Sequence, residues 1–248
     1  MNIVYFAGGR RERVLLRIIK DRRFKVVCIV IARSERYKDI YSAVAGRYKI
    51  RLKKVTKKEI IKSLHNLKVD IFLSVGFRYI LPKKALRIAA YNINVHPALL
   101  PKYKGAYSGN HILINNEKKT GITVHHMEEK VDEGDIILKK TFPLSIFDTA
   151  KSLARKTYAY EPSVVIQALM QLKNRKSKRI KQKKCKYFFK DRTPEDSRLN
   201  PKKPLISLFN LIRASDPDKY PAFFYLKGKK IIVKLERLNR PRDEQDMI

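Results

Sequence analysis

The chain has 248 residues and carries 57 Lys and Arg against 23 Asp and Glu, a formal net charge of +34 at neutral pH. Hydrophobic residues make up 44% and aromatic residues 10%, which is enough to build a buried core and excludes intrinsic disorder. The longest apolar run, Val26 to Ala32, is far shorter than the roughly 20 residues of a membrane-spanning helix. We therefore expect a folded, soluble protein with no membrane span.

The amino-terminal residues and the cysteines indicate the cellular compartment. The stretch from Met1 to Phe6 lacks the basic start and the cleavage site of a secretory leader. Cys28 and Cys185 are too few for a disulfide framework or for a cysteine-based zinc site. These features predict a cytoplasmic protein in a reducing environment.

The positive charge narrows the partners without choosing one. It attracts polyanions, anionic membrane surfaces and small phosphorylated substrates alike. The densest cluster, from Lys173 to Lys190, holds ten Lys and Arg residues and no acid. This basic segment is either a solvated helix end or linker, or a patch for nucleic acid or membrane. We favour the first interpretation because blocks of like charge are commonly exposed.

The first half of the chain alternates short β-branched runs with helical patterns, which predicts βαβ units around a mostly parallel sheet in a Rossmann-like α/β fold. The predicted strands are Asn2 to Ala7, Lys25 to Ile31, Ile50 to Val55, Ile71 to Val75 and Tyr91 to Val95, and the predicted helices are Arg11 to Asp21, Tyr37 to Ala45, Lys57 to Leu67 and Lys83 to Ile88. Gly8 and Gly9 follow the first strand without the spaced glycines of a dinucleotide fingerprint, so we favour a tight turn there.

The second half departs from this alternation. It predicts a long loop from His96 to Gly105, a short helix from Ser108 to Asn115, strands at Gly121 to Met127 and Ile136 to Pro143, a helix from Asp148 to Leu172, a strand from Tyr187 to Phe189, a helix from Pro204 to Ala214 and a hairpin of Phe223 to Leu226 with Lys230 to Leu235. We expect a large domain over residues 1–180, which would carry the catalytic residues, and a small carboxy-terminal domain over residues 187–248. The last residues, Arg237 to Ile248, are expected to form a polar end.

The end of the predicted strand Tyr91 to Val95, with His96 directly after it, carries the most informative chemistry. Asn94 and His96 are two residues apart, so they point to the same face of a strand. An imidazole moves protons near neutral pH, and an amide donates a hydrogen bond to a developing oxyanion. Asp132, in the turn after a later strand, is a carboxylate that would favour the protonated imidazole. Each residue alone is most simply explained by a structural role.

Together these stretches resemble a known family. The segments Asn94 to Gly105, Thr120 to Met127 and Val131 to Ile136 look like the signature of formyltransferases that use 10-formyltetrahydrofolate. Several motif pieces in order and in the right structural context make this resemblance specific. It implies that His96 is the general base or proton shuttle, that Asn94 stabilises the oxyanion, and that Asp132 holds His96 and raises its pKa.

The same resemblance implies where ligands bind. The folate would lie against Arg78, Tyr79 and Ile80 and against the loop of Glu128, Glu129, Lys130, Val131 and Asp132, and the acceptor substrate near Lys102, Tyr103, Tyr107 and Asn110. No metal is expected. His65, His111, His125 and His126 are assigned structural or surface roles, except that His125 lies at the border of the folate loop.

The carboxy-terminal piece selects among acceptors. The segments Arg192 to Ser197, Phe209 to Ala214 and Tyr220 to Tyr225 are similar to the small helix and hairpin of enzymes that formylate nucleotide-linked amino sugars for surface polysaccharides, lipopolysaccharide included. The resemblance also implies a homodimer. The aromatic stretch from Tyr220 to Tyr225 serves either packing or a ligand. Methionyl-tRNA formyltransferase is the alternative, since tRNA also suits the positive charge, and a non-catalytic nucleic-acid-binding protein is the third interpretation.

Overall fold

The computed structural model describes residues 1–185 and 187–238, so the predicted polar end, beyond Leu238, lies outside the described residues. The strands are β1 (Asn2–Ala7), β2 (Lys25–Ala32), β3 (Arg51–Val55), β4 (Ile71–Val75), β5 (Tyr91–His96), β6 (Lys104–Gly105), β7 (Lys119–His126), β8 (Ile136–Pro143), β9 (Phe188–Phe189), β10 (Ala222–Leu226) and β11 (Lys229–Val233). The helices are α1 (Glu12–Ile19), α2 (Lys38–Arg47), α3 (Ile60–Leu64), α4 (Lys83–Leu86), α5 (Ser108–Ile114), α6 (Ala150–Lys173) and α7 (Leu205–Ala214).

A seven-stranded sheet in the order β3-β2-β1-β4-β5-β7-β8 forms the centre of the fold. The pairs β1–β2, β1–β4, β2–β3 and β4–β5 are parallel, whereas β7 runs antiparallel to β5. The predicted Rossmann-like fold with a mostly parallel sheet is therefore confirmed. The carboxy-terminal helix α7 and the antiparallel hairpin β10–β11 are also present, as predicted.

The central strands β1, β2 and β4 are apolar on both faces, as the middle of a sheet covered on both sides requires. In β1, every residue from Ile3 to Ala7 is fully buried. Alternate residues of β1, β2 and β4 enter one apolar cluster, which includes Val4, Phe6, Cys28, Val30 and Phe72. The rings of Phe6 and Phe72 meet edge to face, with centroids 5.3 Å apart. This core fixes the strand that leads to Asn94 and His96.

The Gly8–Gly9 pair forms a tight turn between β1 and α1, as favoured from the sequence. A Cβ on Gly8 would lie 2.0 Å from the Gly76 carbonyl oxygen, and Gly9 has a left-handed φ of 65°. The Gly9 amide donates to the Glu35 carboxylate at 3.3 Å. An acidic side chain thus already occupies a backbone donor that a phosphate would need in a dinucleotide site.

The chain divides into two compact units. The first comprises Met1–His96, Ile122–Lys140 and Tyr158–Lys184, and the second comprises Pro97–Gly121, Thr141–Thr157 and Cys185 onward. Both units are made of several chain segments, whereas the sequence analysis drew one boundary between residues 180 and 187. That boundary stays a prediction.

The second unit has a small apolar cluster of its own. Leu199, Ile212 and Ala222 are its buried members, and side chains of α7 and of the hairpin pack against them. The segment predicted as a loop from His96 to Gly105 contains β6, which pairs with β9 in parallel. Two residues are too few to leave a strand signature in the sequence. Among the described residues, no helix is long and apolar enough to cross a bilayer.

A tight cluster of ionic contacts secures the connection between α1 and β2. The Asp21 carboxylate accepts hydrogen bonds from the Arg23 guanidinium at 2.7 and 2.6 Å and from the Arg23 backbone amide at 3.2 Å. The side-chain hydrogen bonds from Arg23 are the main reason that the pKa of Asp21 falls to about 2. The carboxylate therefore stabilises the folded state above its ordinary pKa, and this stabilisation is lost as the pH falls to about 2.

The substitution Asp21→Asn tests this contribution. We expect the free energy of unfolding to fall by about 1 kcal/mol at pH 7. The effect is this small because Arg23 is half exposed and its charge is screened by water. The difference from the wild type disappears near pH 2, where the wild-type carboxyl is protonated. Urea unfolding between pH 2 and 7 measures it, with the exposed Asp39→Asn as control. A difference that does not vary with pH would contradict the assignment.

Candidate active site

Two neighbouring strands of the first unit place three polar side chains on one face of the sheet. Asn94 and His96 alternate along β5, so both side chains leave the same face. The antiparallel register sets Asn94 opposite His125 and His96 opposite Thr123 on β7. Directly paired residues share a face, so His125 joins the other two.

A strained turn brings the fourth residue to this face. Asp132 lies between β7 and β8 with a left-handed φ of 56°, a conformation that Asp adopts more readily than most residues. Two residues later, a Cβ on Gly134 would lie 2.0 Å from the His126 carbonyl oxygen, so only glycine fits there. Because Gly134 has no Cβ, the turn can fold back closely against the end of β7.

The Asp132 carboxylate is the centre of the site. Its Oδ2 lies 3.3 Å from Nδ1 of His96, and its Oδ1 lies 3.4 Å from both Nε2 of His125 and Nδ2 of Asn94. The Asn94 amide is also 3.2 Å from Nε2 of His125. The side chains of His96 and Asp132 are only 5% and 7% exposed. In such a buried setting, charge interactions are stronger than in water.

The hydrogen bonds of His125 restrict its tautomer. Its Nδ1 lies 2.8 Å from the His126 carbonyl oxygen, which only accepts, so Nδ1 carries a proton. Nε2 then accepts from the Asn94 amide when the ring is neutral, or donates to Asp132 when the ring is charged.

His126, the next residue, points to the other face of β7. Its Nε2 is buried and has no hydrogen-bond partner within the described part of the chain. Burial is the main reason that its pKa falls to about 4, and nearby Arg179 lowers it further while Asp135 opposes. The imidazole of His126 is therefore neutral above that pH, and its structural role stays a prediction.

The segments expected to hold the folate also belong to the first unit. Ile80 is 55% exposed, and Arg78 donates to Ser34 Oγ at 2.9 Å. Tyr79 packs edge to face on Phe77. The loop residues Glu128, Glu129 and Lys130 are exposed and Val131 is half-buried. An ion pair connects Glu129 of the loop to Lys83, the first residue of α4, which lies three residues after Ile80.

The four residues expected near the acceptor lie in the second unit. Lys102 is exposed and lies 3.5 Å from Glu117, whereas Tyr103 is buried and donates to Glu117 at 2.7 Å. Tyr107 accepts a hydrogen bond from Lys219, and Asn110 donates to the Ala214 carbonyl at 2.6 Å. The Tyr103 hydroxyl and the Asn110 amide are thus engaged in internal contacts, and the acceptor role of all four stays a prediction.

His125 is the residue whose place in the site the sequence analysis missed. The histidines other than His96 were judged to form no ligand set, and His125 was expected only to border the folate loop. The signal was the pairing of β7 with β5, which the predicted strands did not specify.

Among residues 1–185 and 187–238, no group of three or more His, Cys, Asp or Glu side chains is arranged to hold a metal ion.

The buried imidazole of His126 predicts a pH-dependent stability. Because its folded pKa is about 4 and its unfolded pKa is near 6.5, unfolding takes up a proton between these values. On acidification from pH 7 to 4, the free energy of unfolding of the wild type should therefore fall by on the order of 2–3 kcal/mol more than that of His126→Gln. Urea unfolding at both values measures this, and the exposed His65→Gln is the matched control. Equal acid sensitivity in wild type and His126→Gln would refute it.

A family model and several known proteins match this chain. The family model described as "Formyl transferase" matches residues 18–169. The bifunctional polymyxin resistance protein ArnA of Wigglesworthia glossinidia brevipalpis is 35% identical over 73% of this chain and 28% of its own length. Methionyl-tRNA formyltransferase of Fusobacterium nucleatum is 32% identical over 73% of this chain and 58% of its own length. The chain thus spans well under two thirds of both curated relatives.

Solved structures extend the match to nearly the whole chain. A 4-N formyltransferase from Francisella tularensis superposes with a TM-score of 0.80 at 21% identity, over 95% of this chain and 97% of that one. An N-formyltransferase from Helicobacter canadensis, solved with folinic acid and dTDP-3-aminofucose, gives a TM-score of 0.72 at 22% identity, over 93% and 86%. These likenesses establish a shared fold. Since the family model covers more than half of the sequence, this chain belongs to the formyl transferase family.

Proposed function

We propose that the protein transfers the formyl group of 10-formyltetrahydrofolate to the amino group of a nucleotide-linked amino sugar. The observation that carries the proposal is the buried carboxylate of Asp132 set between the imidazoles of His96 and His125 and the amide of Asn94. Acyl transfer to an amine needs a proton shuttle and a donor to an oxyanion, and these groups supply both.

The first unit offers surfaces that suit the folate. Ile80 presents an apolar side chain that is more than half exposed, and the ion pair of Lys83 with Glu129 connects the nearby start of α4 to the loop before Asp132. An apolar side chain beside polar groups suits a flat ring whose edges carry hydrogen-bonding groups. When bound, 10-formyltetrahydrofolate supplies the activated formyl group.

The residues of the site divide the proton and charge movements among them. The Asp132 carboxylate holds Nδ1 of His96, and we assign Nε2 as the atom that takes the proton of the attacking amine and returns it to the departing nitrogen. The formyl oxygen becomes negative during attack. The Asn94 amide donates to it by giving up its longer contact, the 3.4 Å to Asp132.

The second unit supports the choice of a sugar acceptor. The two curated relatives align with 73% of this chain, whereas the 4-N formyltransferase superposes on 95% of it, so this superposition includes most of the second unit. The neighbour from Helicobacter canadensis is described with a dTDP-linked amino sugar. A net charge of +34 favours a pyrophosphate substrate. A cytoplasmic role in polysaccharide or lipopolysaccharide synthesis completes this proposal.

Methionyl-tRNA is the second candidate acceptor. It is supported by the 32% identity to methionyl-tRNA formyltransferase and by the positive charge, which also suits tRNA. The two acceptors differ in the surface they need. A tRNA requires many phosphate contacts, so its use would fall steeply with added salt, whereas a single pyrophosphate gives a shallow dependence.

A panel of acceptors tests the proposal. The protein is incubated with 10-formyltetrahydrofolate and UDP-, dTDP-, GDP- or CMP-linked amino sugars, or with charged initiator tRNA, and released tetrahydrofolate is measured. We expect turnover with at least one nucleotide-sugar, and a drop of about 10²–10⁴-fold in His96→Ala and in Asp132→Asn. The matched control is His65→Ala, an exposed histidine. Turnover with tRNA alone would select the second candidate, and near-normal rates in the site variants would remove the assigned roles.

The proposal includes a homodimer formed through the second unit. Large apolar side chains of α7 and the hairpin stay exposed in the single chain, among them Leu205, Ile206, Leu226 and Ile232 at 68, 82, 58 and 53%. Exposed apolar side chains in such number are typical of interfaces, and most soluble oligomers are dimers with a two-fold axis.

Sedimentation measures the oligomeric state. We expect twice the chain mass of 29.1 kDa for the wild type and the single-chain mass for Ile206→Lys combined with Ile232→Lys. Buried lysines at a dimer contact carry a desolvation penalty, which is the reason for dissociation. Ile61→Lys, an exposed isoleucine of the first unit, is the control. A wild type that sediments as a single chain contradicts the dimer.

A further inference from the structure

The segment that follows α6 lies on the turn that carries Asp132. Ile180 and Ile136 form an antiparallel bridge, with the Ile136 amide donating to Ile180 at 2.8 Å and the Ile180 amide donating back at 3.0 Å. Both residues belong to the first unit. Part of the basic segment is therefore attached to the sheet, whereas its composition favoured a solvated linker.

Gln182 makes the most specific contact of this attachment. Its Nε2 donates to the carbonyl oxygen of Asp132 and to that of Gly134, both at 2.8 Å. Because both partners only accept, the amide nitrogen must face them, which fixes the orientation of the side chain. The Oε1 atom is buried and has no hydrogen-bond partner within residues 1–185 and 187–238. The amide keeps this orientation despite the penalty of an unpaired acceptor.

The position of these two carbonyls explains what the contact does. They bracket Glu133, so a single amide fixes the backbone on both sides of the residue after Asp132. Asp132 holds a left-handed φ of 56°, a sparsely populated conformation that persists only where the surroundings determine it. Its carboxylate meets His96 and His125 at 3.3 and 3.4 Å, contacts that a small rotation of the turn would break.

A second contact at the same turn is weaker. Arg179 donates to Asp135 at 3.1 Å, but its side chain is 60% exposed, so the pair is screened by water and salt. Gln182 is half-buried, and the hydrogen bonds that its neutral amide donates are not weakened by salt. Gln182 is therefore the residue of this segment on which the geometry of the turn depends.

We infer that Gln182 is a positioning residue for Asp132: its amide holds the turn so that the carboxylate stays against His96. The catalytic part of this inference rests on the proposed formyl transfer, whereas the positioning itself does not. The segment rich in Lys and Arg thus contributes to the site through its one glutamine, and the charges around it are not required for the contact.

The titration midpoint of His96, followed by NMR, tests the positioning without any turnover. The ionisable groups that face His96 in the described site are Asp132 and, through it, His125. Gln182→Met keeps the length of the side chain and removes both donated hydrogen bonds. We expect its His96 midpoint to shift away from the wild type and toward that of Asp132→Asn. The exposed Gln167→Met is the matched control and should titrate as the wild type.

Kinetics gives the second measurement. In Gln182→Met we expect kcat to fall roughly 10-fold, a typical effect of losing a residue that orients a catalytic group, with little change in the KM of the acceptor. Gln182→Lys retains a donor on a stem of sufficient length, so it should recover most of the rate. Circular dichroism shows whether Gln182→Met folds. If it does not, Gln182→Lys is the variant on which the role of the donated hydrogen bonds is measured.

The outcomes separate the two proposals. A wild type without formyl transfer to any acceptor overturns the proposed function, and the His96 midpoints still decide the positioning. An active wild type with unchanged His96 midpoint and kcat in folded Gln182→Met overturns the positioning role alone. A Gln182→Lys variant that is as impaired as Gln182→Met would show that the donated hydrogen bonds are not what Gln182 provides.

Discussion

The site depends on one carboxylate that serves three partners. Asp132 lies within 3.4 Å of His96, His125 and Asn94, three groups that β5 and β7 deliver to one face of the sheet. A buried carboxylate is unfavourable unless charged or polar groups surround it, so the same contacts that stabilise Asp132 also align the imidazoles and the amide. The contacts that make the buried carboxylate stable are therefore the same contacts that position the proposed catalytic groups.

The sheet and the turn share the task of holding this arrangement. The register of β5 with β7 sets Asn94 opposite His125, and the apolar residues of the parallel strands keep β5 in place. The turn is shaped by the close approach of Gly134 to the His126 carbonyl oxygen and by the amide of Gln182. A change in either would displace the carboxylate while leaving the core intact.

The sequence predicted what depends on local pattern. Five strands of the first half and the alternation of Asn94 with His96 follow from apolar runs and the two-residue period of a strand. Asp132 was named as a candidate carboxylate beside the imidazole, but only the resemblance to a family gave it a catalytic role, since an aspartate in a turn has no distinctive pattern. His125 and Gln182 were missed because their contacts depend on strand pairing and on a distant segment that composition describes as charged and solvated. The strand β6 was missed because two residues leave no strand pattern in the sequence and its partner β9 is far away along the chain.

The central claim is that His96 and Asp132 act as one unit in acyl transfer, and a double-mutant cycle on kcat/KM with the preferred acceptor tests it most directly. If the carboxylate acts through the imidazole, then once His96→Ala is made, adding Asp132→Asn should change the rate little, so the two effects are strongly non-additive. Effects that simply multiply would contradict the account, because they would mean that each residue contributes independently of the other.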